Sequence, residues 1–484
     1  MNTPIQSRKD ITPAAKNTLL IYLSTTLAVL LLMMVFGAVL RAGQAQIINL
    51  DLTLFYKLMT LHGAGMVGIS GLGSAAVMWY FLSKYIKLST GILIANLVFF
   101  LLGVVLILGA ILIGDFAAGW TFLYPLPVKS MNIWSIESAA TYLFGLLFIG
   151  VGFLLLYLDI GLALIKSYGG LSRSLGWHCL FGNSKEFPPA TVVASTMVLI
   201  INTLGILVGA VVLIISLINA FYPAFQPDAL LVKSLIFFFG HVFINAAIYM
   251  AVIAVYEILP TYTNRPWKVN KIFLAAWSFS TLMVLAVVPH HMLMDFNVPT
   301  WLATIGQIGS YISGIPVLII TVYGALTIVY KSGIRWDLAA GLLFMSMYGW
   351  ASGVIPAIVD ATIHVNTVMH NTQWVPGHFH FYLLLGVLPM IFGFMLHITK
   401  KPSNENTMNN SDKASLFIYL FAGVGFVMAF LYSGKNSVPR RWGVHLDEWL
   451  ATDQVATVFA VLIIIAFFVI ASKFFLRLPN LLRH

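Results

Sequence analysis

Seven of the twelve histidines, His62, His241, His290, His291, His370, His378 and His380, lie in or beside long apolar runs. An imidazole in a lipid-embedded helix is costly unless something partners it, so each is a functional candidate. A hydrogen bond between helices would account equally well for any one of them; the set as a whole points to metal. Neutral imidazole is the usual ligand for haem iron and copper. His378 and His380 are two residues apart, roughly 200° around a helix. They point to opposite sides and suit two metals rather than one. His290 and His291 are adjacent, so they suit one metal only if a neighbouring helix supplies a third ligand. His241 is the natural third. Copper on three histidines with an open position suits a diatomic substrate.

The elements that must carry these residues are membrane spans. The 484 residues are 60% hydrophobic and 9% charged, against about 25% charged in soluble domains. Runs long enough to cross a bilayer core, about 20 residues each, occur at 17–40, 54–82, 89–114, 136–164, 192–220, 230–259, 270–297, 303–330, 337–362, 372–399, 414–434 and 453–476. The stretches 165–191 and 401–413 read as loops. The first run lacks the features of a removable signal peptide. With the N-terminus cytoplasmic, the inner segments hold 19 of the 26 basic residues, among them Arg8, Lys9, Lys401 and Arg483. That follows the positive-inside rule and predicts both termini on the cytoplasmic side. The net charge of +10 is therefore attributed to membrane topology and not to nucleic acid. The expected fold is an all-α integral membrane protein of twelve helices, a single transmembrane domain over 1–484. In that topology His62, His290, His291, His378 and His380 share the outer half of the membrane. His241 lies about eleven residues into span six, roughly 16 Å below its start. The lone Cys179 excludes a disulfide framework, a zinc–thiolate site and an iron–sulfur cluster held by this chain alone.

Gly240-His241, Pro289-His290-His291-Met292 and Gly377-His378-Phe379-His380, in that order, together resemble the catalytic subunit of the haem–copper oxidase superfamily over essentially the whole chain. The resemblance implies a low-spin haem, expected of b type, with axial ligands His62 and His380. It implies a high-spin haem, of b or a type, on His378, and copper on His241, His290 and His291. His370 resembles the residue near the high-spin haem propionates. Arg440 and Arg441 resemble the arginine pair that binds propionates, a role suited to charge-assisted Arg–carboxylate bonds. Arg41 matches a family arginine near the low-spin haem, although a snorkelling residue at a helix end explains it as well. Asn371 stands where the family often has Asp.

One departure bears on the substrate. Oxygen-reducing members usually carry a tyrosine four residues after the first copper histidine, cross-linked to a copper ligand and supplying an electron and a proton. Here that residue is Asn245, span seven contains no tyrosine, and Tyr249 is eight residues from His241. Reduction of two NO to N2O needs no such radical. The expectation is an NO reductase of a copper-containing type. The alternatives are an oxygen reductase with another electron donor, a transporter with a histidine proton relay, and an assembly subunit. Tyr249 and Tyr256 on span six, with Tyr323 and Thr327 on span eight, are expected to line a proton path from inside. The chain has no Cys-x-x-Cys-His, so an outer-face partner subunit with a copper centre or c-type haem is implied, fed by cytochrome c or a similar donor. The expected setting is the lipid of a bacterial cytoplasmic membrane.

Overall fold

The computed structural model describes residues 11–295, 298–400 and 407–482. Arg8, Lys9, Lys401 and Arg483 of the inner basic set lie outside the described residues. Twelve helices are long and apolar enough to cross a membrane. Spans one to six are Pro13–Gln44, Leu52–Leu82, Thr90–Leu112, Ile136–Tyr168, Ala190–Phe221 and Ala229–Thr263. Spans seven to twelve are Lys271–Met292, Thr300–Val329, Leu338–Asp360, Trp374–Ile398, Asn410–Lys435 and Asp447–Leu478. Among the described residues no strand occurs; a lone antiparallel bridge joins Thr372 to Pro439.

The helices start where short polar residues precede the apolar runs. The side chains of Thr12, Asp51, Ser89, Ser135, Asp228, Asn270 and Asp337 each accept a bond from a backbone N–H of the first turn. This satisfies donors that have no partner inside the helix. The apolar segments of spans two, six and ten are 72%, 89% and 83% buried within the protein, against 22% for span eight. Three of the four histidine-bearing spans are thus the innermost, and most other spans turn large side chains outward.

Three of the four histidine-bearing spans are irregular. Span six consists of Ala229–Ala251 and Ile253–Thr263, with Pro260 inside the second part. Span seven leaves the α-helix at Ala286 and ends in a tight 3-10 turn, Val288–Met292, that carries His290 and His291. Span ten runs as α-helix through His380, then as π-helix over Phe381–Val387, then as α-helix again. Such insertions collect at functional sites because they re-aim side chains. The stretch 165–191, read from sequence as a loop, contains two short helices, Leu171–Ser174 and Trp177–Leu180.

Candidate metal centres

One cavity of about 710 Å³ is lined by His62, His241, His290, His291, His378 and His380. Spans two and ten meet on one side of it. The His62 and His380 rings face each other with centroids 6.4 Å apart and planes within 17°. Each ring is anchored through one nitrogen, His62 Nδ1 to the Met33 carbonyl at 2.7 Å and His380 Nδ1 to the Pro376 carbonyl at 2.6 Å. The Nε2 atoms are left for a metal. Metal–imidazole bonds of about 2 Å on both faces of a haem would hold ring centroids roughly 6 Å apart, so the pair fits a six-coordinate haem. Gly37 of span one backs His62 so closely that a Cβ there would stand 2.7 Å from the ring.

His241, His290 and His291 offer nitrogens that all lie within 4.8 Å of one another. His291 Nε2 is 3.3 Å from His241 Nδ1. Two ligands about 2 Å from one tetrahedral ion stand roughly 3.3 Å apart, so this donor set fits a copper-sized ion. The Ser310 hydroxyl of span eight holds His290 Nδ1 at 2.5 Å, leaving Nε2 toward the cluster. Phe237 stacks on His291 at 5.2 Å.

His378 also lines the cavity, with its Nδ1 3.4 Å from Asp360 Oδ2 at the end of span nine. Asn245 is on the cavity wall, and its Nδ2 donates to the His241 carbonyl at 2.8 Å. Tyr249 packs edge-on against Trp277 with centroids 4.8 Å apart. Tyr382, four residues after His378, is edge-on to it at 6.2 Å and lines the same cavity.

The outer rim is basic. The Arg440 backbone N–H donates to the Asn371 carbonyl at 2.9 Å, and Arg441 Nη2 donates to Thr121 Oγ1 at 2.6 Å. His370, Arg440, Arg441 and Lys233 line a smaller hollow that adjoins the main cavity. Burial and the neighbouring Arg441 lower Arg440 to about 10, still cationic at neutral pH. Burial, reinforced by the Arg440 charge, pushes His370 below the usual imidazole value and keeps it neutral there. Arg41 is buried on the other side of the cavity, ion-paired with Asp453.

The expected hydroxyl path does not assemble. Tyr323 is 69% exposed on the outside of the bundle, and Thr327, also exposed, bonds back to the Tyr323 carbonyl at 2.7 Å. The Tyr256 hydroxyl instead meets Thr321 Oγ1 at 2.7 Å. Thr321 and Tyr323 are two residues apart, roughly 200° around the helix, so span eight can turn only one of them inward. Ser310, Tyr382, Asp453 and His445 escape sequence reasoning. They belong to no histidine motif, and only packing brings them to the ligands. Asp453 carried one usable signal, a carboxyl group in or beside a membrane span.

This fold and donor set define an all-α integral membrane protein whose buried histidines fit haem and copper. Residues 17–469 match the family described as cytochrome c and quinol oxidase polypeptide I, and the chain belongs to that family, the haem–copper oxidase subunit I. Cytochrome c oxidase subunit 1 of Synechocystis sp. is 25% identical over 426 residues, 84% of this chain and 72% of that protein. The Candida albicans subunit is 24% identical over 375 residues, covering 75% and 66% of the two chains. The Thermus thermophilus subunit is 23% identical over 233 residues, covering 44% and 41%. The chain therefore spans less than two thirds of the length of several relatives it matches. A chain of a heme-copper terminal oxidase dimer, solved by cryo-electron microscopy, has the same fold. Its TM-score is 0.81 at 20% identity, over 96% of this chain and 84% of that one.

Proposed function

We propose that the chain is the catalytic subunit of a respiratory complex that reduces nitric oxide: 2 NO + 2 e⁻ + 2 H⁺ → N2O + H2O. The observation that carries this reading is Asn245. It occupies the cavity wall one helical turn from His241 and cannot supply the electron and proton that a phenol there would give to O–O cleavage. Forming N2O needs only two electrons and no protein radical.

In this reading, taken as one transmembrane domain over 1–484, His62 and His380 would hold the low-spin haem, of b type. His378 holds the high-spin haem, and His241, His290 and His291 hold copper. Bound there, these groups supply the electrons and the paired metal positions at which two diatomic molecules can meet. The protein keeps His62, His380 and His290 oriented through one ring nitrogen each. Arg440 and Arg441 bind haem carboxylates at the outer rim, with neutral His370 beside them. Asn245 lines the cavity one turn after His241, with its Nδ2 bonded back to the His241 carbonyl. Arg41 faces the low-spin haem. Tyr249 and Tyr256 remain the candidates for proton delivery along span six, with Thr321 replacing the outward-facing pair on span eight. Electrons come from an outer-face subunit bearing a copper centre or c-type haem, which cytochrome c or a similar donor reduces. The setting is a bacterial cytoplasmic membrane with both termini inside.

A second reading, a terminal oxidase reducing O2 to water, draws on Tyr382 and Tyr249, two phenols that line the same cavity. Gas turnover of the intact complex with one electron donor separates the two. N2O production faster than O2 consumption is expected. Sustained O2 reduction without appreciable N2O from NO would sink the first reading and leave an oxidase with an unusual electron donor.

A further inference from the structure

The C-terminal end of span one holds a buried charge cluster outside the histidine set. Arg41 pairs with Asp453 of span twelve, their side chains 4% and 0% exposed. The other Asp453 oxygen is 2.5 Å from His445 Nδ1, and the His445 side chain is fully buried. Gln44 accepts from Arg41 Nη1 at 2.7 Å and donates to the Trp442 carbonyl at 2.7 Å. The Arg41 guanidinium carbon lies 4.7 Å over the Phe430 ring. Phe430 in turn stacks on His380, with centroids 5.2 Å apart and planes within 16°. The cluster is one aromatic ring away from an axial imidazole, and Arg41 and Gln44 both line the cavity.

As a staple between spans one and twelve the cluster is poorly built. A buried ion pair is weak evidence for stability, because desolvation offsets its attraction. Arg41 Nε and His445 Nε2 are also left buried without partners. What the arrangement does achieve is a fixed guanidinium plane against Phe430. Charges held in a poorly polarisable interior act strongly on a nearby site. Reducing a haem adds one electron, so a positive neighbour favours the reduced form and a negative one the oxidised form.

We propose that the Asp453 carboxylate, held between Arg41 and His445 and coupled to His380 through the Arg41–Phe430 contact, sets the reduction potential of the low-spin haem. This rests on the reading of His62 and His380 as that haem's ligands. The test is a potentiometric titration of the intact complex, following the low-spin and high-spin haem bands separately. Asp453→Asn removes a negative charge and should shift the low-spin haem about tenfold toward the reduced form, about 59 mV for one electron, with a smaller effect on the high-spin haem. His445→Ala removes a donor from the carboxylate, leaves its charge less neutralised, and should shift the same haem the other way. His445→Asn, whose amide nitrogen can stand in for Nδ1, should restore the wild-type value. The proposal is overturned if the low-spin haem is present and stays within twofold of wild type in both Asp453→Asn and His445→Ala. If Asp453→Asn does not assemble, the His445→Ala and His445→Asn pair decides alone. Failure of the ligand reading looks different: the low-spin spectrum itself would survive His62→Ala.

Discussion

Each candidate ligand that the structure anchors uses one ring nitrogen for the protein and keeps the other for a metal. The Met33 and Pro376 carbonyls and the Ser310 hydroxyl do this for His62, His380 and His290. Such partners set the tautomer and ring orientation, and their loss typically weakens metal binding 10- to 100-fold. Ser310→Ala should therefore lower copper affinity by about that factor, read by competition with a copper chelator, and leave both haem spectra in place. Unchanged copper affinity would remove Ser310 from the site. His380→Ala should abolish the low-spin haem spectrum. His290→Ala should remove copper and leave that spectrum present. The opposite pattern would mean the two sites have been exchanged.

Among the helices, span one carries none of the candidate ligands, yet it shapes the His62 side of the proposed low-spin haem pocket. Its Met33 carbonyl orients His62, and its Gly37 gives the ring room. Gly37→Ala places a methyl 2.7 Å from the imidazole, so span one or the ring must move. Overpacking of this kind typically costs about 1–3 kcal/mol. The expected outcome is a broadened or partly lost low-spin spectrum and a lower melting temperature, with copper content unchanged. A variant identical to wild type in absorption spectrum and melting would show that the pocket is looser than its geometry indicates. The departures from regular helix serve the same end. The 3-10 turn Val288–Met292 brings His290 and His291 to His241, and the π stretch after His380 begins just where span ten has delivered its two histidines.

For the whole molecule, the histidines divide as two, one and three around a single cavity. Two haems and one copper per chain are expected, measured by metal analysis together with pyridine haemochrome spectra. One haem per chain, or iron without copper at the three-histidine cluster, would overturn the assignment. The outer rim adds a charge argument. Arg440, though lowered to about 10 by burial and Arg441, stays protonated through the neutral range, so its attraction for haem carboxylates should not vary with pH between 6 and 8. A haem retention that fell across that range would point to a different anchor.

Membrane class, span number and the clustering of His241 with His290 and His291 were legible in the residues themselves. Apolar run length reports a bilayer directly, and the spacings 290/291 and 378/380 determine which imidazoles can share a metal, because a helix turns about 100° per residue. The sequence alone could not say which face of a uniformly apolar helix turns inward. Span eight shows why: Thr321 and Tyr323 are both plausible channel residues by type, and only packing turns Thr321 to Tyr256 and Tyr323 outward. Lipid and protein interior are both apolar, so a span carries little amphipathic signal to separate them. The partners distant in the chain follow the same logic. Asp453 lies 412 residues from Arg41, and the pairing exists because spans one and twelve pack side by side, a neighbourhood that tertiary structure alone decides.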